Sequence, residues 1–124
     1  MLMKRFLTVA LGGSLGAMAR YAVNLAVERF WVRDFPLATL LVNVSGSFIL
    51  GLFASFAIAH VELDPAWRLF IATGFVGAYT TFSTFEYETQ RLTEMGSGGW
   101  ALMNVLTSVV AGFIAVRIGM ALGR

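Results

Sequence analysis

The side chains able to do chemistry in this sequence are neutral hydrogen-bond donors and phenyl rings. They concentrate in residues 74–88, which read Gly-Phe-Val-Gly-Ala-Tyr-Thr-Thr-Phe-Ser-Thr-Phe-Glu-Tyr-Glu. Thr80, Thr81, Ser83 and Thr84 place four hydroxyls in five positions. Phe82 and Phe85 interleave with them at i, i+3 spacing, which sets both rings on one helical face. Asn43 and Ser108 add an amide and a hydroxyl from other apolar segments. A phenyl edge carries partial positive charge, and the amide and hydroxyls donate hydrogen bonds. Donors with ring edges make a surface for a small anion, without the fixed charge that would hold the ion too tightly for conduction. Each group also has a plainer use: the rings as apolar packing, and Asn43 as a hydrogen bond between helices.

Arg20 is the only formally charged residue inside an apolar segment. A charge at membrane depth points to a functional site, here an electropositive vestibule for an anion. Its plainer use is to snorkel toward the interface. Gly12, Gly16, Arg20 and Asn24 fall at i+4 steps on one face, and the glycines form small-xxx-small pairs suited to helix packing. His60, Glu62 and Asp64 lie near one another in a loop, with no second His and no Cys to make a metal site. No nucleophile–base grouping and no nucleotide-binding glycine loop is present, so the chain does not read as an enzyme. Glu28, Glu86 and Glu88 sit at the segment edges, leaving no intramembrane carboxylate of the kind proton-coupled carriers need.

These groups must be positioned by membrane helices. At 58% hydrophobic and 13% charged over 124 residues, the chain is too apolar for a soluble domain. Four apolar segments, residues 6–27, 35–61, 69–85 and 95–116, are each close to the ~20 residues a helix needs to cross ~30 Å of hydrocarbon. None alternates as a barrel strand would. Lys4 and Arg5 before an apolar run, with Ala17-Met18-Ala19 as a cleavage site, also describe a signal peptide; the apolar continuation past Arg20 to Val27 favours a helix. Gly74 and Gly77 weaken the third helix at its middle, so a break is expected there. Thr39, Asn43, Gly46 and Ser47 share a face of the second helix, and Asn104, Thr107 and Ser108 form a polar patch on the fourth. The fold class is therefore all-α integral membrane: one transmembrane domain over residues 1–124, with four helices and a broken third.

Three pieces carry a family resemblance: Gly12-Gly-Ser-Leu-Gly-Ala-Met-Ala-Arg-Tyr21, Thr39-Leu-Leu-Val-Asn43-Val-Ser-Gly46, and the run from Gly74 to Phe85. Together they resemble the Fluc family, the small fluoride channels or fluoride exporters of microbial membranes. The resemblance implies a passive fluoride channel in the cell (inner) membrane that relieves fluoride toxicity. It implies that Phe82 and Phe85 are the phenyl pair beside the fluoride path and that Asn43 is its amide donor. Ser83, Thr84 and Ser108 are candidate hydroxyl donors. It also implies a structural sodium ion held by backbone carbonyls at the helix break, with Gly77 and Thr80 as its ligands. The rival readings are a small four-helix multidrug or guanidinium antiporter, which needs a helix carboxylate, and a non-transporting assembly subunit.

Four helices are too few to shield a path alone, so self-association is expected. With Arg20 and Arg117 left out as lying within or near spans, one side of the membrane would carry Lys4, Arg5, Arg68 and Arg124, the other Arg29, Arg33 and Arg91. Orientation follows the Lys/Arg excess in short loops, and four against three is almost none. Dual insertion and an antiparallel homodimer follow, in agreement with the resemblance.

Overall fold

The computed structural model describes residues 1–124 and is helical throughout. Helix α1 is Leu2–Glu28, α2 is Leu37–Ala59 and α6 is Gly98–Leu122. These three are long and apolar enough to cross a membrane. Between α2 and α6 the chain makes an interrupted passage. It comprises α3 (Pro65–Arg68), a π-helical segment (Leu69–Val76), α4 (Gly77–Tyr79) and α5 (Phe82–Glu94).

The boundaries differ from the sequence expectation in interpretable ways. Helix α1 begins before Lys4 and Arg5, because nothing there caps or breaks a helix. Its 27 residues give ~40 Å, more than the hydrocarbon thickness. It runs without interruption past Ala17-Met18-Ala19 and packs along the π-helical segment. The Asp64 carboxylate accepts from Ala66 N–H at 2.8 Å, and Pro65 occupies the first turn, so a cap starts α3 ahead of the apolar run.

The break expected in the third helix is present, but its position at Gly74 and Gly77 is corrected. Both residues are helical, and the chain opens instead at Thr80 (φ −82°, ψ 155°) and Thr81 (φ −149°, ψ 115°). Two adjacent β-branched residues favour extended backbone. The Thr81 side chain then accepts from Thr84 N–H at 3.3 Å as the N-cap of α5. Gly74 serves close approach: a Cβ there would lie 2.9 Å from the Val9 carbonyl oxygen and 3.0 Å from Gly12 Cα.

Two pairs of helices running in the same direction make the bundle. Gly12 and Gly16 of α1 lie against the Phe70 and Phe75 carbonyls, and a Cβ at either would overlap those oxygens. Gly119 and Gly123 meet the Phe48 and Leu52 carbonyls of α2 in the same way. The packing role expected for Gly12 and Gly16 is thus present, and α6 carries a second glycine stripe at its far end. Most large apolar side chains outside these seams, such as Phe6, Leu102 and Phe113, are exposed, as lipid contact requires.

Candidate functional site

The break brings a backbone peptide within reach of α2. Asn43 Nδ2 donates to the Thr81 carbonyl at 3.1 Å, and Asn43 Oδ1 accepts from Thr81 N–H at 2.8 Å. One amide therefore satisfies both polar groups of an extended residue that has no helical partners. In a medium without water this is close to obligatory. The second Nδ2 hydrogen stays free to donate elsewhere.

Beside this staple lies a groove of about 300 Å³. Asn43, Thr80, Phe82, Phe85 and Ser108 all line it, with Ser47 at its α2 wall. Four of the expected path residues are thus brought together from α2, α5 and α6. The Phe82 and Phe85 rings are 5.9 Å apart between centroids and tilted by 51°. Phe82 is 75% exposed and Phe85 only 7%, so the pair runs from the open surface into the bundle. Ser108 Oγ reaches Asn104 Oδ1 only at 3.5 Å, whereas Ser47 Oγ is committed to the Asn43 carbonyl at 2.7 Å.

Ser83 and Thr84 are placed elsewhere. Ser83 is exposed and does not line the groove. Thr84 Oγ1 accepts from the Thr81 hydroxyl at 3.0 Å, so it belongs to the cap of α5. Arg20 is also outside the groove wall; its Nε donates to the Ala78 carbonyl at 3.2 Å. His60 and Asp64 are engaged locally, His60 Nδ1 lying 2.9 Å from the Phe56 carbonyl and Asp64 capping α3.

One residue was missed. Glu88, expected at a segment edge, reaches into the bundle, where its Oε1 accepts from Thr39 Oγ1 at 2.7 Å. Its Oε2 is buried with no hydrogen-bond partner. An acidic side chain does therefore enter the bundle, contrary to the expectation. The signal lay in the period: Phe85, Glu88, Thr89 and Leu92 fall at i, i+3, i+4 and i+7, one face of α5. The same face anchors to α6, where the buried Asn104 donates to Thr89 Oγ1 at 2.9 Å. Thr39 and Glu88 also line a second cleft of about 400 Å³, one helical turn beyond Asn43 and Phe85.

The carbonyls at the break suit a cation. An unbroken helix would give Thr81 N–H to the Gly77 carbonyl and Thr84 N–H to the Thr80 carbonyl. Those donors go to Asn43 and to the Thr81 hydroxyl instead. The Gly77 and Thr80 carbonyls lose these helical donors together, and Gly77 is exposed. Neutral oxygen donors are the ligand type a hard cation takes.

Residues 7–120 match the family model described as CrcB-like protein, Camphor Resistance (CrcB). The chain is 51% identical over 121 residues to the fluoride-specific ion channel FluC of Acidobacterium capsulatum, covering 97% of this chain and 96% of that protein. It is 40% identical over 122 residues to the FluC of Sulfurihydrogenibium sp., with 98% of each chain covered. It is 43% identical over 124 residues to the FluC of Koribacter versatilis, covering all of this chain and 98% of the relative.

Proposed function

Because the chain belongs to the CrcB-like family, we propose that it is a passive fluoride channel, a multi-pass protein of the cell (inner) membrane that lets fluoride out and so relieves its toxicity. The observation that carries this reading is the convergence of Asn43, Phe82, Phe85 and Ser108 on one groove beside the break. The free Nδ2 hydrogen of Asn43, the Ser108 hydroxyl and the phenyl edges offer donors without net charge. Such a wall replaces part of the ion's hydration while letting it move on. A negative cell interior supplies about 2.3 kcal/mol per 100 mV to expel a monovalent anion, so no coupled reaction is needed. Arg20 adds one positive charge on the α1 side, which draws anions to the vestibule. Ser83 and Thr84 are left out of the path on this side of α5.

The groove is open along its length, and Phe82 stands exposed at its lip. A second copy in antiparallel orientation closes it. The near-even Lys/Arg count supports dual insertion, and a two-fold axis in the membrane plane brings the two breaks together. The Gly77 and Thr80 carbonyls of both copies would then hold a structural sodium ion, which would supply positive charge to carbonyl oxygens that lack a helical donor.

The test is anion efflux from liposomes containing only the purified protein under an imposed potential. Fluoride should leave and chloride should not, with no counter-gradient of protons or cationic drugs. Phe82→Ile, Phe85→Ile and Asn43→Ala proteins that still fold should pass fluoride more slowly. Native rates in all three would sink the assignment of the path. An absolute need for a counter-gradient would restore the antiporter, and no flux at all the assembly subunit.

A further inference from the structure

Arg20 makes a contact that its vestibule charge does not account for. Its guanidinium reaches across from α1 and donates through Nε to the Ala78 carbonyl at 3.2 Å. Ala78 is the middle residue of α4, immediately before the break. Its i+4 neighbour, Phe82, already belongs to the first turn of α5, so its carbonyl is one of those that the end of a helix leaves open.

The contact is the last of a series. Gly12, Gly16 and Arg20 stand four residues apart on one face of α1. Their partners are the carbonyls of Phe70, Phe75 and Ala78. Phe70 and Phe75 are five apart, the closure of one π-helical turn, which sets successive carbonyls opposite successive α-helical glycines. At Arg20 the close backbone approach gives way to a long charged side chain. The segment Leu69–Tyr79 is thus seated on α1 up to Ala78, and the chain opens at the second residue beyond it.

We infer that Arg20 is the positioning residue of the break: its guanidinium holds the Ala78 carbonyl, ends the helix there and leaves the Thr81 peptide to Asn43. A cation at a helix C-terminus offsets the negative pole of the peptide dipoles. The positive pole of α5, at Thr81 and Phe82, faces the groove. The two poles of the broken helix are thereby sorted: the one that would repel an anion is neutralised from the α1 side, and the one that attracts it lines the path. With Ala78 engaged, the Gly77, Tyr79 and Thr80 carbonyls are the oxygens at the break left without helical donors. The inference rests on the proposed path only for its effect on flux; the contact itself is independent of it.

Two measurements test it. Native protein labelled with ¹⁵N-arginine and ¹³C′-alanine should show one magnetisation transfer from an arginine Nε to an alanine carbonyl. The other arginine–alanine contact, Arg68 to the Ala57 carbonyl, is made through Nη2 and is spectrally separate. Absence of the Nε transfer overturns the inference whatever any variant does. Fluoride efflux per folded channel is then compared for Arg20→Lys, Arg20→Gln and Arg20→Met, with monodisperse elution as the folding check. Lysine, which keeps charge and a donor, should stay within about threefold of native. Glutamine and methionine should fall on the order of tenfold or more, as expected for losing a charged donor. Native rates in either neutral variant, or an equal loss in all three, overturn the positioning role. A native channel that carries no fluoride fails the proposed function instead, and the spectroscopic result stands apart from it.

Discussion

Removing the Asn43 amide separates a staple from a bystander. Asn43→Ala deletes two hydrogen bonds at once, to the Thr81 carbonyl at 3.1 Å and from Thr81 N–H at 2.8 Å. Each strands a backbone group away from water at about 1–3 kcal/mol, so the loss should be about 2–6 kcal/mol. The lower end applies where the chain relaxes by closing the break, since a continuous helix through Thr80 returns Thr81 N–H to the Gly77 carbonyl. Ser47→Ala is the matched control on the same face of α2. Its hydroxyl donates only to the Asn43 carbonyl within its own helix, so about 1 kcal/mol or less is expected. The assay is reversible unfolding in mixed micelles titrated with dodecyl sulfate, read by tryptophan fluorescence, with fluoride efflux measured on the folded fraction. A loss below about 0.5 kcal/mol for Asn43→Ala, or one no larger than that of Ser47→Ala, would refute the staple.

Further outcomes follow from other contacts. Gly16→Ala drives a methyl into the Phe75 carbonyl and should cost about 1–3 kcal/mol, while Gly13→Ala, whose nearest neighbour would lie at 3.8 Å, should be nearly neutral in the same titration. Thr39→Val takes the only donor from Glu88 Oε1 and leaves the partly buried carboxylate, whose Oε2 already lacks a partner, with no hydrogen bond; stability should fall by about 1–3 kcal/mol and fluoride efflux should fall with it. Replacing Na⁺ by N-methylglucamine during prolonged equilibration should lower the stability of the assembled protein, and unchanged melting and flux would remove Gly77 and Thr80 as ligands. A single cysteine appended after Arg124 should be labelled from outside sealed cells to about half, as the near-even Lys/Arg distribution implies; complete or absent labelling would mean one fixed orientation.

The membrane class and the residues around the break were legible because apolar run length and the Thr80–Phe85 pattern are local properties. The site of the break was not. Glycine propensity pointed to Gly74 and Gly77, but packing on α1 uses Gly74 as a contact surface and keeps it helical. The π-helical stretch had no local sequence signature; the feature that accompanies it, α1 glycines seated on carbonyls five residues apart, is a long-range match. Glu88 was misplaced for a related reason. A charged residue just beyond an apolar run reads as interfacial, whereas the period that turns it toward Thr39 becomes visible only once α5 is treated as a separate helix. Asn43 could be weighed between donor and glue but not decided, and the geometry leaves room for both.

The bundle's two seams also set an order for its assembly. Each joins helices that are not consecutive: α1 waits for the π-helical segment, and α2 waits for α6. About 70 residues separate Phe48 from Gly119, which at ~5–20 residues per second is roughly 4–14 s of synthesis. Through that interval α2 holds Asn43 and its hydroxyl face in lipid without the walls that will enclose them. A nascent chain of this kind is exposed to its neighbours just when its polar groups lack partners, so the membrane insertion machinery, or a sister chain made alongside, is its natural shelter.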